Sequence, residues 1–150
     1  MIQKLCVSAL VFAVLILPGS TLRAQQITPA QQAAVGTWDF GDGGIVETYV
    51  KDGALYGKLI HTNSKVDNNS VCKKCDGELK NKPFIGMVNI YGFKPEGTTE
   101  VWGGGRFVDI TTGLVAQGKI KAENGGATLN VRGYFGSPLL GQTVIWKRIK

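Results

Sequence analysis

Residues 114–135 read LVAQGKIKAENGGATLNVRGYF, two alternating runs on either side of an Asn-Gly-Gly turn. In the first run apolar or small residues alternate with polar ones: Leu114, Ala116, Gly118 and Ile120 against Gln117, Lys119 and Lys121. The second run sets Leu129, Val131, Gly133 and Phe135 against Asn130, Arg132 and Tyr134. A period of two residues is typical of a half-buried strand, and Asn-Gly is a strong hairpin signal. The segment therefore predicts a β-hairpin with one face packed and the other facing water.

Short strand-like runs and glycine-rich turns extend outward from this hairpin over most of the chain. Glycine accounts for 21 of 150 residues, well above its usual share of about 7%. The eight predicted strands are residues 35–40, 45–51, 55–62, 84–93, 100–110, 114–122, 128–135 and 141–149. A long polar loop, residues 63–83, separates the third strand from the fourth. Eight strands joined mostly by hairpins predict an all-β, antiparallel, up-and-down barrel, which leaves no exposed edges, with a two-sheet β-sandwich as the alternative.

The first 24 residues have the pattern of a secretory signal peptide. Lys4 precedes an apolar run, residues 5–17, which Pro18-Gly19 ends, and Ala24 offers a small residue at the cleavage site. The run is shorter than the roughly 20 apolar residues that span a bilayer, although an uncleaved anchor is the alternative. We therefore predict an exported protein, periplasmic or secreted, without a membrane span after cleavage. Residues 25–34 form a leader or a short helix, and residues 35–150 form one barrel domain.

The charge of the mature chain is modest and dispersed. Without Lys4 and Arg23 it has 15 basic and 11 acidic residues, a net charge of +4. Nucleic-acid binding requires a basic stripe, usually with aromatic residues along it. No such stripe is present in the sequence, so nucleic acid is not a predicted partner.

The two ends of the predicted barrel carry the motifs that point to a family. Gly36-Thr37-Trp38 near the start, with Trp146-Lys147-Arg148 at the end, resembles the lipocalin-type pattern of an N-terminal Gly-x-Trp packed against a C-terminal Arg. The order and spacing of further motifs, such as Trp102-Gly103-Gly104 and Leu129-x-Val131-Arg132-Gly133-Tyr134, resemble the bacterial domain-of-unknown-function family 2147 over residues 35–148. The chain departs from the family's usual residues at Ser70, Ile110 and Leu114. The resemblance implies an exported, lipocalin-like barrel and does not imply an activity.

The same motifs predict how the barrel closes. We expect the Arg148 guanidinium to stack on the Trp38 indole and to close one end, with Gly36 and Trp146 as parts of the same structural closure. A cation–π contact of this kind contributes about 0.5–2 kcal/mol, depending on burial.

Cys72 and Cys75 lie in the long loop and are separated by two lysines. Cysteines this close in an exported protein are expected to form a disulfide, which fixes the loop locally. A zinc site needs four ligands, and only His61, Asp67 or Asp76 would complete it. A thioredoxin-like redox role needs a helix N-terminus in a βαβ unit, which the segment lacks. A structural disulfide is therefore the prediction, with metal binding and redox chemistry as alternatives.

No catalytic constellation or cofactor motif stands out in the sequence. His61 is the lone histidine, and a catalytic base would need a nucleophile and an orienting partner. Trp102 precedes three glycines, which predicts a bulge covered by the ring, with a mobile rim near a cavity as the alternative. Arg132 and Tyr134 share a face that is predicted to meet solvent, and they could contact a ligand only if that face lined the barrel. Trp102, Arg132 and Tyr134 are therefore the speculative ligand-binding residues, and no metal or catalytic residue is predicted.

An eight-stranded barrel is either filled by side chains or holds one small ligand. We predict that the protein binds a small apolar or amphipathic molecule, or a component of the cell envelope. The alternative is a structural or protein-interaction domain with a filled core. An enzyme with a site unmarked in the sequence is a third possibility.

Overall fold

The computed structural model describes residues 26–150, which form a closed barrel of eight antiparallel strands. The strands are β1 (Gly36–Gly41), β2 (Gly44–Lys51), β3 (Ala54–His61), β4 (Val88–Pro95), β5 (Val101–Val108), β6 (Val115–Glu123), β7 (Thr128–Tyr134) and β8 (Gln142–Arg148). Each strand pairs with the next along the chain, and β8 pairs with β1. The predicted up-and-down barrel is therefore confirmed, and the two-sheet sandwich is not formed. The predicted signal peptide lies outside the described residues.

Within residues 26–150, one short helix and three 3₁₀ turns lie outside the strands. The helix α1 (Pro29–Gln32) begins after Thr28, whose side chain and that of Gln31 form a capping box. Single 3₁₀ turns lie at Gly77–Leu79, Asn124–Gly126 and Pro138–Leu140.

The tight hairpin between β2 and β3 uses residues that tolerate a left-handed backbone. Asp52 and Gly53 have φ values of 50° and 71°, the combination that a two-residue turn of type I′ requires. A two-residue turn fixes the register of β2 against β3, in which Lys51 lies opposite Ala54.

Two predicted strands are shorter than expected because turns replace their ends. Residues 84–87 were assigned to the fourth strand, but a hydrogen bond from Met87 N to Phe84 O (3.1 Å) closes a turn there. The fifth strand ends at Val108, because Gly113 N donates to Asp109 O (2.7 Å) and forms a turn over residues 109–113. The pairing of β5 with β6 shifts between Gly103 and Gly105. Gly104 has a positive φ of 69° at this shift, as expected for a bulge.

Two clusters of apolar residues fill different parts of the molecule. The larger cluster lies inside the barrel and includes Trp38, Leu55, Phe93, Trp102 and Ile120. The smaller one joins Leu59 and Val108 of the barrel wall to Cys72, Phe84 and Met87 of the long loop. The loop between β3 and β4 is thus attached to the barrel through apolar packing of its own.

A neighbouring pair of glycines on β6 and β7 provides a test of this packing. Gly118 pairs with Gly133, but a Cβ on Gly118 would lie 2.0 Å from Phe107 Cε2 and 2.7 Å from the backbone oxygen of Arg132. A Cβ on Gly133 would meet its nearest atoms at 4.0 Å. Gly118→Ala is therefore expected to lower the free energy of unfolding by about 1–3 kcal/mol through overpacking. Gly133→Ala is expected to raise it by about 0.5–1 kcal/mol by restricting the unfolded chain. Urea denaturation measures both, and equal effects of the two substitutions would contradict this description.

Candidate functional site

One end of the barrel is sealed by the segments that begin β1 and follow β8. The Arg148 guanidinium carbon lies 4.1 Å from the centroid of the Trp38 ring. The same guanidinium group donates hydrogen bonds to the carbonyl oxygens of Ala33, Val35, Gly126 and Lys150. A Cβ on residue 36 would lie 2.2 Å from Arg148 Nη1, so glycine is needed where the arginine passes. This arrangement matches the predicted contact of Arg148 with Trp38.

Helix α1 packs at the same end of the barrel. Trp102 is fully buried, and its Nε1 donates to the carbonyl oxygen of Gln31 (2.8 Å). The buried Gln31 side chain in turn donates to the carbonyl oxygen of Thr99 (2.8 Å), in the β4–β5 connection. Trp102 therefore anchors the helix, and the alternative of a mobile rim beside a cavity is wrong for this residue.

Thr48 connects the helix, β1 and β2 within this sealed end. Its hydroxyl group accepts hydrogen bonds from Trp38 Nε1 (2.8 Å) and Gly36 N (3.2 Å). It donates to the carbonyl oxygen of Ala34 (2.6 Å). One donor and two acceptor positions are all that a threonine hydroxyl has, so this buried polar group is fully satisfied.

The opposite end of the barrel holds an open cavity of about 740 Å³. This volume lies within the range of about 300–1,000 Å³ that is usual for small-molecule sites. The wall is mostly apolar and includes Phe40, Ile90, Phe107, Ala116, Val131, Val144 and Trp146. The polar groups on it are few, including Thr62, Asn89, Tyr134 and Gln142. The barrel is therefore filled at one end and hollow at the other.

The mouth of the cavity carries exposed apolar side chains. Leu114, Phe135 and Leu140 line the cavity and are 58%, 61% and 82% exposed. They come from the β5–β6 and β7–β8 connections, which lie side by side at this end. Large apolar side chains grouped at a cavity mouth are typical of an entrance for apolar ligands.

Asp109 lies at the mouth with one carboxylate oxygen held by the β5–β6 turn. Its Oδ1 accepts hydrogen bonds from Thr111 N (2.8 Å), Thr111 Oγ1 (2.6 Å) and Thr112 N (3.1 Å). Partial burial opposes ionisation, but these hydrogen bonds outweigh it and hold the pKa of Asp109 below its ordinary value. The sequence signal was available, since Asp followed by Thr-Thr-Gly is a turn pattern in which the side chain caps backbone N–H groups.

The structure separates the three speculative ligand-binding residues. Tyr134 is buried and lines the cavity, although alternation along β7 had predicted a solvent-facing side chain. Its position at the last residue of the strand frees it from the alternation. Arg132 stays on the outer face, where it donates to Pro138 O and Thr143 Oγ1. Trp146, grouped with the closure in the sequence, lines the cavity and lies 6.0 Å from the Phe40 ring.

The long loop lies beside the mouth, and the predicted disulfide between Cys72 and Cys75 is present at its tip. Both cysteines are buried, and Cys72 Sγ lies 3.3 Å from the carbonyl oxygen of Ile110. We interpret this as packing, because a disulfide sulfur has no proton to donate. A Cβ on Gly113 would lie 2.0 Å from the carbonyl oxygen of Lys74. The loop tip thus presses closely on the β5–β6 turn.

Removal of the disulfide by the double substitution Cys72→Ala and Cys75→Ala tests this local role. Closing so short a loop contributes about 2 kcal/mol or less. We expect faster amide exchange at Cys72, Asn81 and Phe84, whose N–H groups donate within the loop. Amides of the β6–β7 hairpin serve as the internal control and should exchange as before. Uniform acceleration over the whole barrel would contradict a local role.

His61 and Asn68 support the start of the loop. His61 Nδ1 lies 2.6 Å from Thr62 O, and its Nε2 lies 2.7 Å from Asn68 Nδ2. An imidazole protonated at Nδ1 satisfies both contacts, so this histidine holds the loop. Within residues 26–150, no three His, Cys, Asp or Glu side chains are placed to share a metal ion. The helices in this part of the chain are too short or too polar to span a bilayer.

Comparisons with known proteins agree with this architecture. The structure of protein HP1028 from the human pathogen Helicobacter pylori, described as belonging to the lipocalin family, has a TM-score of 0.66 to this chain. The two are 18% identical over 78% of this chain and 83% of that one, a likeness that shows the fold alone. No curated protein matches significantly. The family model of uncharacterized proteins conserved in bacteria, DUF2147, matches residues 36–148. The predicted family is thereby confirmed, and the chain belongs to the DUF2147 family of bacterial proteins.

Proposed function

We propose that the protein binds one small apolar or amphipathic molecule inside the open half of the barrel. The observation that carries this proposal is the one-ended cavity of about 740 Å³ with a mostly apolar wall. A barrel with a filled core would favour a structural or interaction domain, so the unfilled volume supports ligand binding over that alternative.

Packing at the sealed end limits how deep the ligand would lie, and the open half is lined by both aromatic rings, Phe40, Phe107 and Trp146, and small residues. Large aromatic rings, Trp38, Phe93 and Trp102, occupy the sealed end. Small residues, Ala116 and Gly133, line the wall near the open end. Water in a space with an apolar wall finds few hydrogen-bond partners, so an apolar molecule displaces it favourably. The ligand is therefore expected to enter past the exposed rim and to stop above the Trp38 end.

Export is the second part of the proposal. It is supported by the signal-peptide pattern of residues 1–24 and by a disulfide that is typical of oxidising compartments. Mass spectrometry of protein from its host should give a chain that begins near Gln25. A mass that still includes Met1 would contradict cleavage.

Binding can be followed with N-phenyl-1-naphthylamine, a neutral dye that fluoresces in apolar surroundings. We expect saturable binding of one dye per chain, together with a change in tryptophan emission. Trp146 lines the cavity, whereas Trp38 and Trp102 are buried near the sealed end, so the change should be smaller in Trp146→Phe. No saturable binding of this dye or of any apolar probe would overturn the proposal.

A substitution that fills the cavity tests the location of binding. Ala116 lines the cavity on β6, whereas the next residue, Gln117, is exposed on the outer face. Ala116→Phe is expected to weaken dye binding by about tenfold or more, which corresponds to about 1.4 kcal/mol. Gln117→Phe adds the same ring outside the barrel and should leave the affinity within about twofold. Equal losses in the two variants would place the dye elsewhere.

A further inference from the structure

The formal charge among the described residues that line the cavity lies on one residue at its mouth. Of all described residues that line it, Asp109 is the single one with a formal charge at neutral pH. Its carboxylate is held by hydrogen bonds from Thr111 and Thr112 but has no ion-pair partner within residues 26–150. The turn thus holds at the mouth a carboxylate whose negative charge is not neutralised by a cation of the described chain.

The basic residues closest in sequence or topology to this end of the barrel do not line the cavity. Lys65 pairs with Asp42 at 3.1 Å. Lys73 and Lys74 line a separate cleft of about 490 Å³, which shares Ile110 and Thr111 with the cavity. Arg132 is engaged on the outer face. No basic side chain therefore lines the cavity in the described chain to receive a carboxylate or phosphate group.

The amide of Asn89, also on the cavity wall, is oriented by the protein itself. Its Nδ2 donates to the carbonyl oxygen of Val108 (3.3 Å). Its Oδ1 is buried without a partner among the described residues and is not accessible from the cavity. The recognition of a charged head group therefore rests on Asp109.

We propose that the cavity selects cationic amphiphiles, in which an ammonium group meets the Asp109 carboxylate and the apolar part fills the open half of the barrel. This inference rests on the proposed function and adds the class of ligand. An ammonium group supplies the positive charge that the mouth lacks. A carboxylate head group would instead face Asp109 at short range, where like charges repel. The mature chain has a net charge of +4, which by itself disfavours binding of a cation. A measured preference for cations would therefore come from Asp109 and not from the net charge.

Three twelve-carbon compounds separate the contribution of the head group to affinity from that of the alkyl chain. Dodecylammonium, dodecanol and dodecanoate are titrated below their micelle concentrations against the mature protein loaded with N-phenyl-1-naphthylamine. We expect dodecylammonium to bind about tenfold or more tightly than dodecanoate, with dodecanol between them. In Asp109→Asn, the preference for dodecylammonium over dodecanol should disappear.

The control is Asp52→Asn, which removes the same charge from the β2–β3 turn, at the opposite end of the barrel, and should preserve the order. If Asp109→Asn does not fold, the salt dependence of binding to the wild-type protein tests the same proposal. The affinity for dodecylammonium should fall with added salt, and the affinity for dodecanol should not. Dodecanoate binding as tightly as dodecylammonium, or an unchanged order in Asp109→Asn, would overturn the ligand class alone. Failure of all three compounds to displace the dye would overturn ligand binding itself.

Discussion

Arg148→Ala is expected to lower the free energy of unfolding by about 3–5 kcal/mol. The guanidinium group donates to four carbonyl oxygens and stacks on Trp38 at 4.1 Å. A hydrogen bond from a charged group contributes about 1.5–3 kcal/mol, but several bonds from one group do not add in full. The cation–π contact adds about 0.5–2 kcal/mol. Urea denaturation followed by tryptophan emission measures the loss.

Two further variants separate the causes. Arg148→Lys keeps the charge over the indole but cannot reproduce the planar set of donors. It should therefore lose about half as much as Arg148→Ala. Arg132→Ala removes an arginine that is also hydrogen-bonded, but on the outer face. Its loss should stay below about 1 kcal/mol, as is usual for exposed charged side chains. Similar losses for Arg148→Ala and Arg132→Ala would refute the importance of the sealed end.

Thr48→Val is expected to lower the free energy of unfolding by about 2–4 kcal/mol. The substitution preserves the shape of the side chain but removes the hydroxyl group. Trp38 Nε1 and the carbonyl oxygen of Ala34 then lose their partner in a fully buried place. Each buried group left unsatisfied costs about 1–3 kcal/mol. Thermal or urea denaturation measures the loss.

Thr48→Ser is the matched control, because it keeps the hydroxyl group and removes one methyl group. A loss of about 1 kcal/mol is expected from the small cavity that this leaves. The two variants thus rank hydrogen bonding against packing at the same position. A larger loss for the serine variant than for the valine variant would show that packing dominates there.

The architecture could be predicted from the sequence because its signals are local. Alternation within each strand and turn residues such as Asp52-Gly53 act over a few positions, and the barrel follows from their order. The contact of Trp38 with Arg148 was predicted from a family pattern, since nothing local joins the two residues.

The site was harder to predict because it depends on how distant side chains meet. Residues 25–34 are predicted as a leader or a short helix, and neither prediction shows that Gln31 is fully buried and that its carbonyl oxygen accepts from Trp102. Alternation predicts that Tyr134 faces solvent, but its side chain lines the cavity. Trp102 is buried at the sealed end and does not line the cavity. Whether a barrel is filled is decided by the sum of side chains from all eight strands, which no single segment shows.

The pairing of β1 with β8 also has a kinetic consequence. Every other pair joins neighbouring strands, whereas Arg148 and Val35 meet from positions 113 residues apart. Closing so large a loop costs conformational entropy before its contacts form, so this pairing is expected late in folding. Contacts that form after the rate-limiting step influence mainly the rate of unfolding. The contacts of Arg148 would then mainly slow unfolding. Each separation of β1 from β8 would expose two unpaired strand edges, to which other chains could bind.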